Sequence, residues 1–134
     1  MVLVDSNVLL DILTRNPIWF GASRAALGRC QDEGIAINPL IFAEVSAGYH
    51  GEAQVRRDLS VLDLDLLVLP YTAAFAAGKA FVEYRRRGGV KTSPLPDFYI
   101  GAHALTAGMP LLTRDPNVYE TYFPGLEILQ PARA

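Results

Sequence analysis

Four acidic residues of this 134-residue chain lie where carboxylates can do chemistry. Asp5 directly follows the first apolar run, and Asp115 follows a later one in the segment LLTRDPN. Asp97 follows a proline at a predicted helix start, and Glu44 lies within IFAEVSAGY. Taken singly, each aspartate is explained equally well as a turn residue or a helix cap. Their combination predicts an acidic site.

Glu44 is the least ordinary of the four. At helical spacing its neighbours form an apolar face without a Lys or Arg: Leu40, Ile41, Ala47 and Gly48. Burying an unpaired carboxylate costs several kcal/mol unless it is protonated, hydrogen-bonded or bound to a metal. Two carboxylates about 4 Å apart repel by about 4 kcal/mol at an effective dielectric constant of 20, so a group of them needs cations or protons. Oxygen ligands without Cys or His at zinc-ligand spacing favour Mg²⁺ or Mn²⁺, which activate water against a phosphodiester.

The elements that must position these acids alternate between short apolar strands and helices. Strands are predicted over residues 2–4, 35–37, 66–69, 111–113 and 126–129. Helices are predicted over residues 8–13, 19–33, 40–49, 52–62, 72–87 and 96–105, with a loop over 90–95. This alternation indicates an α/β fold whose mainly parallel sheet of four to five strands is covered on both faces. Ligands bind beyond the carboxyl ends of such strands, which is where Asp5 and Asp115 fall.

Composition indicates one domain over residues 1–134. The chain is 51% apolar and 19% charged, and it contains no apolar run near the roughly 18 residues that span a bilayer. The single Cys30 cannot form an internal disulfide, and the start MVLVDSN does not resemble a secretory signal, so we expect a cytoplasmic protein without membrane contact. Without the four acids, twelve basic residues face ten acidic ones, a balance that suits a metal enzyme acting on an anionic polymer.

Four blocks of the sequence carry a family resemblance: VLVDSNVLLDIL, NPLIFAEV, PDFYIGAHAL and PLLTRDPN. In their order and spacing they resemble a PIN-domain nuclease, specifically the VapC-type toxins of bacterial toxin–antitoxin pairs. The resemblance implies a three-layer α/β/α fold and Mg²⁺- or Mn²⁺-dependent endonucleolytic cleavage of RNA. It implies that Asp5, Glu44, Asp97 and Asp115 form the catalytic, metal-binding set. It also implies a VapB-type antitoxin and a homodimer.

Several other polar residues are candidates for supporting roles. Thr113 can orient the Asp115 carboxylate or a metal-bound water, or be an ordinary strand-end threonine, and Asn7 can support the site or cap a helix. Arg114 lies close to the predicted pocket and is a candidate RNA contact. The sequence is equally consistent with an arginine that is merely exposed in a turn. The cluster Arg85 to Arg87 can bind phosphate or complement the end of its helix. His103 is predicted to point away from Asp97, since six helical residues turn it by about 240°.

Two further hypotheses compete with the nuclease. A phosphatase of the haloacid-dehalogenase type also begins with a strand-end aspartate, but it normally carries a second aspartate two positions later, where this chain has Asn7. A non-catalytic module would bind a partner through apolar helices and use the acids only structurally. A phosphoaspartyl intermediate on Asp5 would favour the phosphatase, and metal-dependent cleavage would separate the enzyme from the module. The aromatic residues Tyr49, Phe75, Phe81, Tyr84, Phe98 and Tyr99 are predicted to lie mainly in the core.

Overall fold

The computed structural model describes residues 1–92 and 95–132. Five strands in these residues form one parallel sheet with the order β3-β2-β1-β4-β5. In chain order they are β1 (Val2–Val4), β2 (Ile35–Ile37), β3 (Asp65–Leu66), β4 (Leu111–Leu112) and β5 (Ile128–Leu129). The central strand β1 places Leu3 beside Ala36 of β2 on one side and Leu111 of β4 on the other. The predicted parallel α/β sheet is confirmed.

Seven α-helices in the described residues connect the strands. They are α1 (Ser6–Leu13), α2 (Phe20–Cys30), α3 (Pro39–Ser46), α4 (Glu52–Ser60), α5 (Tyr71–Arg86), α6 (Pro96–Thr106) and α7 (Asn117–Tyr122). The chain adds β2 and β3 on one side of β1, then returns to add β4 and β5 on the other. Because crossovers between parallel strands are almost always right-handed, the two directions place their helices on opposite faces. Three layers result, and the strand order reverses between β1 and β4.

Polar residues at the strand ends start the helices that surround the site. Asp5 is the N-cap of α1, so the helix begins at Ser6 rather than at the later position that the sequence suggested. Asn38 caps α3 by accepting a hydrogen bond from the Ile41 N–H at 3.0 Å, and Pro39 follows at the first helical position. Proline suits this position because the first helical N–H has no partner within the helix. Strand and helix therefore join abruptly at the carboxyl edge of the sheet.

Several predictions differ from the structure. The helix predicted over 40–49 ends at Ser46, the strand predicted over 126–129 is paired only at Ile128–Leu129, and helix α7 was not predicted. The third strand was predicted over residues 66–69, but the paired residues are Asp65 and Leu66, because β3 is an edge strand whose ladder ends when the Leu67 N–H bonds to Ile37. The sequence also predicts that Thr72 caps the long helix α5, but this helix begins at Tyr71 with Pro70 at its N-cap, so the cap prediction is wrong. Within the predicted loop over 90–95, residues 93 and 94 lie outside the described residues.

The core is built from the buried strands and the inner faces of the helices. All three residues of β1 and all three of β2 are at most 2% exposed. The prediction that the named aromatics lie mainly in the core is wrong for Phe75, which is 68% exposed on α5 and lies under the Lys79 ammonium. Of the helices that the described residues form, none combines the length and apolarity needed to cross a membrane.

Candidate active site

The site is built around Asp5, which stands at the carboxyl end of the central strand. The Asp5 N–H continues the ladder by donating to the Leu112 carbonyl at 2.9 Å. Its side chain is 4% exposed and accepts three hydrogen bonds. The Ser6 N–H donates to Oδ1 at 2.8 Å, and the hydroxyls of Thr113 and Tyr119 donate to Oδ2 at 2.8 and 2.9 Å. Asp5 is therefore held in one orientation by neutral donors.

Thr113 connects the ends of β1 and β4. Besides donating to Asp5, its fully buried hydroxyl accepts from the Asn7 side-chain amide at 3.2 Å and from the Asp115 N–H at 3.1 Å. The Asn7 carbonyl oxygen in turn accepts from the Arg114 N–H at 3.0 Å. Asn7 therefore fastens the loop that carries Asp115 to the first turn of α1, while Asp5 caps that helix.

Glu44 is carried to the same edge by α3. Its Oε1 accepts a hydrogen bond of 3.0 Å from the Ser6 hydroxyl in the first turn of α1. The carboxylate is half-buried, as the apolar surroundings of Glu44 in the sequence suggested. Ser6 therefore ties α3 to the helix that Asp5 caps.

A buried polar contact joins α3 to α6. The Asn38 carbonyl oxygen caps α3, so its side-chain nitrogen faces His103 Nδ1 at 3.1 Å and donates to it. This contact requires an unprotonated Nδ1, in agreement with the burial that lowers the pKa of His103. Because α3 carries Glu44 and α6 carries Asp97, the contact links the helices of two acids. His103 thus lies in the interior, away from the carboxylates.

Asp97 approaches Asp5 through a shared tyrosine. The Tyr119 hydroxyl on α7 lies 2.9 Å from Asp5 Oδ2 and 3.3 Å from Asp97 Oδ1. Tyr119 is only 1% exposed, so its contact with Asp5 is buried, whereas its contact with the half-buried Asp97 is partly open to water. Asp97 itself lies in the first turn of α6, where the helix dipole favours a negative charge.

The four carboxylates influence one another electrostatically. Among the residues that the structure describes, no Lys, Arg or His forms an ion pair with Asp5, Glu44, Asp97 or Asp115. Burial raises the pKa of Asp97, and the negative charges of Asp5 and Asp115 raise it further. Burial also raises the pKa of Asp5, against the hydrogen bonds that it accepts, and that of Glu44, to which Asp5 and Asp97 contribute. The edge of the sheet is therefore a site of uncompensated negative charge.

Arg114 is already engaged with an acid inside the protein. Its guanidinium donates from Nε and Nη2 to the two carboxylate oxygens of Asp11, each at 2.9 Å. Asp11 is 2% exposed and also accepts from the Ser23 hydroxyl at 2.7 Å. The Trp19 ring lies 5.0 Å from the guanidinium carbon. Arg114 thus joins the loop after β4 to α1 and α2, and its contact with RNA stays a prediction.

The donor set fits a hard divalent cation bound by few protein ligands. Carboxylate oxygens are the ligands that Mg²⁺ and Mn²⁺ prefer. Nowhere in residues 1–92 and 95–132 do three or more Asp, Glu, His or Cys side chains lie close enough to surround one ion. The predicted four acids therefore share one edge of the sheet without converging on a single point. Magnesium is commonly held by one or two carboxylates, with water and phosphate oxygens completing its octahedron, and the pair of Asp5 and Asp97 suits this mode.

Sequence reasoning missed three residues that shape the site: Ser6, Asn38 and Tyr119. Ser6 and Asn38 each had a local signal, since both directly follow or flank a strand end. Tyr119 had none, because its hydroxyl meets Asp5 across 114 positions of the chain. Only packing of α7 against α6 brings it to the acids.

Fold and site together define a three-layer α/β protein with carboxylates at the point where strand order reverses. The PIN domain family model matches residues 2–124. This chain belongs to the PIN domain family. No curated protein matches its sequence.

Solved structures with this fold cover nearly the whole chain. The structure of VapBC2 from Rickettsia felis bound to a promoter DNA fragment contains a chain with a TM-score of 0.76 and 18% identity, covering 97% of this chain and 98% of that one. A chain of DNA-bound VapBC from Salmonella typhimurium has a TM-score of 0.73 and 21% identity, and the match covers 98% of this chain and 100% of that one. A chain of a toxin–antitoxin complex from Klebsiella pneumoniae has a TM-score of 0.67 and 21% identity, and the match covers all of both chains. At these identities the similarity establishes the fold.

Proposed function

We propose that this protein is a VapC-type toxin that cleaves RNA with the help of Mg²⁺ or Mn²⁺. The observation that carries the proposal is the set of carboxylates at the carboxyl edge of the sheet, with which no basic residue in the described part of the chain forms an ion pair. Asp5, Asp97 and Glu44 are held by hydroxyls and backbone N–H groups, which orient them without cancelling their charge. Membership of the PIN family supports nuclease activity in particular over the phosphatase alternative.

The residues of the chain have separable tasks in this reaction. A divalent cation, when bound, supplies polarisation of the attacking water and offsets the charge that develops on the phosphate. Asp5 and Asp97 would hold such a cation, with Glu44 and Asp115 adding to the negative charge of the site. Thr113 and Asn7 hold the loop of Asp115 against Asp5. Their task is to keep the reacting groups in place, which is worth several kcal/mol when the geometry is maintained.

Cleavage of labelled RNA and single-stranded DNA tests the proposal directly. We expect the purified protein to cut RNA with Mg²⁺ or Mn²⁺ and to lose this activity in EDTA. Asp5→Asn removes one charge without changing the shape of the side chain, and we expect it to lower the rate at least a hundredfold, as loss of a major electrostatic group does. The matched control is Asp32→Asn, because Asp32 is exposed in the turn before β2, at the opposite edge of the sheet.

The outcomes separate the competing functions. Equal cleavage by wild type and Asp5→Asn would remove the mechanism, and cleavage of DNA alone would remove the assigned substrate. A phosphoaspartyl intermediate trapped on Asp5 would favour the phosphatase. Partner binding without any metal-dependent cleavage would favour the non-catalytic module.

We further propose a VapB-type antitoxin as partner, a homodimer as the oligomeric state and the cytoplasm as the location. Structures with this fold include assemblies named VapBC and a toxin–antitoxin complex, which supports the antitoxin. Large apolar side chains are also exposed for protein contact, among them Val68 at 79%, Tyr71 at 95% and Phe75 at 68%. Light scattering of the purified chain tests the dimer, and co-purification of a small partner encoded beside it tests the antitoxin.

A further inference from the structure

The Tyr119 side chain lies within hydrogen-bond distance of both Asp5 and Asp97. The hydroxyl has one proton to share between them, and its oxygen lies 2.9 Å from Asp5 Oδ2 and 3.3 Å from Asp97 Oδ1. A hydroxyl is neutral, so it can link two carboxylates and leave their negative charge available to a cation. An Arg or Lys in this place would hold them equally well but would neutralise the site.

The approach of Tyr119 depends on a glycine in α6. Gly101 lies one helical turn after Asp97, and therefore on the same side of the helix. A Cβ at Gly101 would lie 2.6 Å from the Phe123 ring and 3.0 Å from Tyr119 Cδ1. The absence of a side chain thus lets α7 lie directly on α6, and this close packing delivers the hydroxyl to the two acids.

We propose that Tyr119 is a positioning residue of the acid site, whose hydroxyl holds the Asp5 and Asp97 carboxylates at the spacing that receives a divalent cation. The inference rests on the proposed metal-dependent function, and it concerns the metal-free protein as well as the loaded one. Removal of outer residues that orient metal ligands commonly lowers metal affinity about ten- to hundredfold. The same range is expected here, because the loss of the hydroxyl leaves the phenyl ring in place and releases Asp97 from Asp5. Asp5 keeps its hydrogen bonds from the Ser6 N–H and the Thr113 hydroxyl.

The test compares Tyr119→Phe with Tyr122→Phe by isothermal titration with Mn²⁺. Tyr122 lies on the same helix, and its ring packs on Phe98 at 5.4 Å between centroids, so its variant controls for loss of a tyrosine hydroxyl in α7. We expect Mn²⁺ affinity to fall about ten- to hundredfold in Tyr119→Phe and to stay within about twofold of wild type in Tyr122→Phe. A near-ultraviolet difference spectrum provides a second readout. Mn²⁺ should shift tyrosine absorption in wild type and in Tyr122→Phe, and the shift should be absent from Tyr119→Phe.

Failure of this inference is distinguishable from failure of the proposed function. If wild type binds Mn²⁺ and Tyr119→Phe binds it equally well, the role of Tyr119 is overturned while the metal site stands. If wild type binds no Mn²⁺ and cleaves nothing, the metal-dependent function and the inference fall together. Should Tyr119→Phe not fold, Gly101→Ala gives the same test through displacement of the hydroxyl, and unchanged affinity there also overturns the role.

Discussion

Replacement of Arg114 by alanine should destabilise the protein strongly, because it leaves the buried Asp11 carboxylate without its cationic partner. Asp11 is 2% exposed and receives two of its three hydrogen bonds from the Arg114 guanidinium. After the substitution only the Ser23 hydroxyl remains as a donor. Removing one partner of a buried ion pair costs about 3–5 kcal/mol. Since the Arg114 side chain is 32% exposed, water can reach part of the vacated space, and we expect the lower end, about 3 kcal/mol.

Urea denaturation monitored by circular dichroism measures this loss. A change of about 3 kcal/mol corresponds to a Tm lower by about 10 °C for a chain of this size. Arg114→Lys keeps the charge but not the two-pronged geometry, and should lose about 1–2 kcal/mol. In a double-mutant cycle with Asp11→Ala, the coupling energy should be about 1.5–3 kcal/mol. A loss below about 1 kcal/mol for Arg114→Ala, or a coupling energy near zero, would refute this reasoning.

The same variants separate a structural role of Arg114 from the predicted contact with RNA. If Arg114 acts by holding the loop after β4, Asp11→Asn and Arg114→Ala should weaken RNA cleavage to a similar extent. If it touches RNA, only Arg114→Ala should weaken RNA binding, and this loss should depend on salt concentration.

Three further predictions concern the acids, the buried histidine and the helix contact. Burial and the charge of Asp5 raise the pKa of Asp97, so ionisation of Asp97 opposes folding as the pH rises above about 4. In urea denaturation with EDTA, Asp97→Asn should therefore stabilise the metal-free protein at neutral pH by on the order of 1 kcal/mol. Equal or lower stability of the variant would contradict this. Burial lowers the pKa of His103, so its contribution to stability is complete above about pH 6.5 and is lost as the pH falls through the folded-state pKa. His103→Gln should therefore reduce the dependence of the unfolding free energy on pH between about pH 7.5 and about pH 5. An unchanged slope would show that another group causes the loss of stability in acid. Gly101→Ala should cost about 1–3 kcal/mol in thermal unfolding, because the new Cβ would meet the Phe123 ring, whereas wild-type stability would show that the two helices separate freely.

Part of the site was predictable because it follows from local rules. Apolar runs that stop at Asp5 and at Thr113 identify strand ends, and parallel strands present those ends at a common edge. The helix that begins at Pro96 was predictable because proline followed by aspartate is favoured in the first helical turn and Gly108 marks the end. Glu44 was recognisable as a site residue because a carboxylate on an apolar helix face is costly to bury unless it has a functional or hydrogen-bonding role.

Other features lay beyond local reasoning. Asn7 could cap a helix by its type and position, but its amide instead bonds to Thr113, 106 positions away. The interpretation of Arg114 as an RNA contact could not include Asp11, 103 positions away, because ion pairs between distant segments leave no mark in spacing. Phe75 has the spacing of a core aromatic and yet is exposed, because nothing in the described part of the chain covers that side of α5.

The sequence by itself determined the alternation of the five strands with the first six helices, though not α7, and the types of ligand at the sheet edge. Both depend on neighbours only a few positions away. Tertiary structure decided which groups contact those acids: Tyr119 between Asp5 and Asp97, and Ser6 on Glu44. The physical reason is that a hydrogen bond acts over about 3 Å, while the chain segments it joins approach only when helices pack. Gly101 shows this dependence on tertiary structure most directly. The need for a residue without a side chain at this position arises only because α7 and Phe123 pack against α6 there.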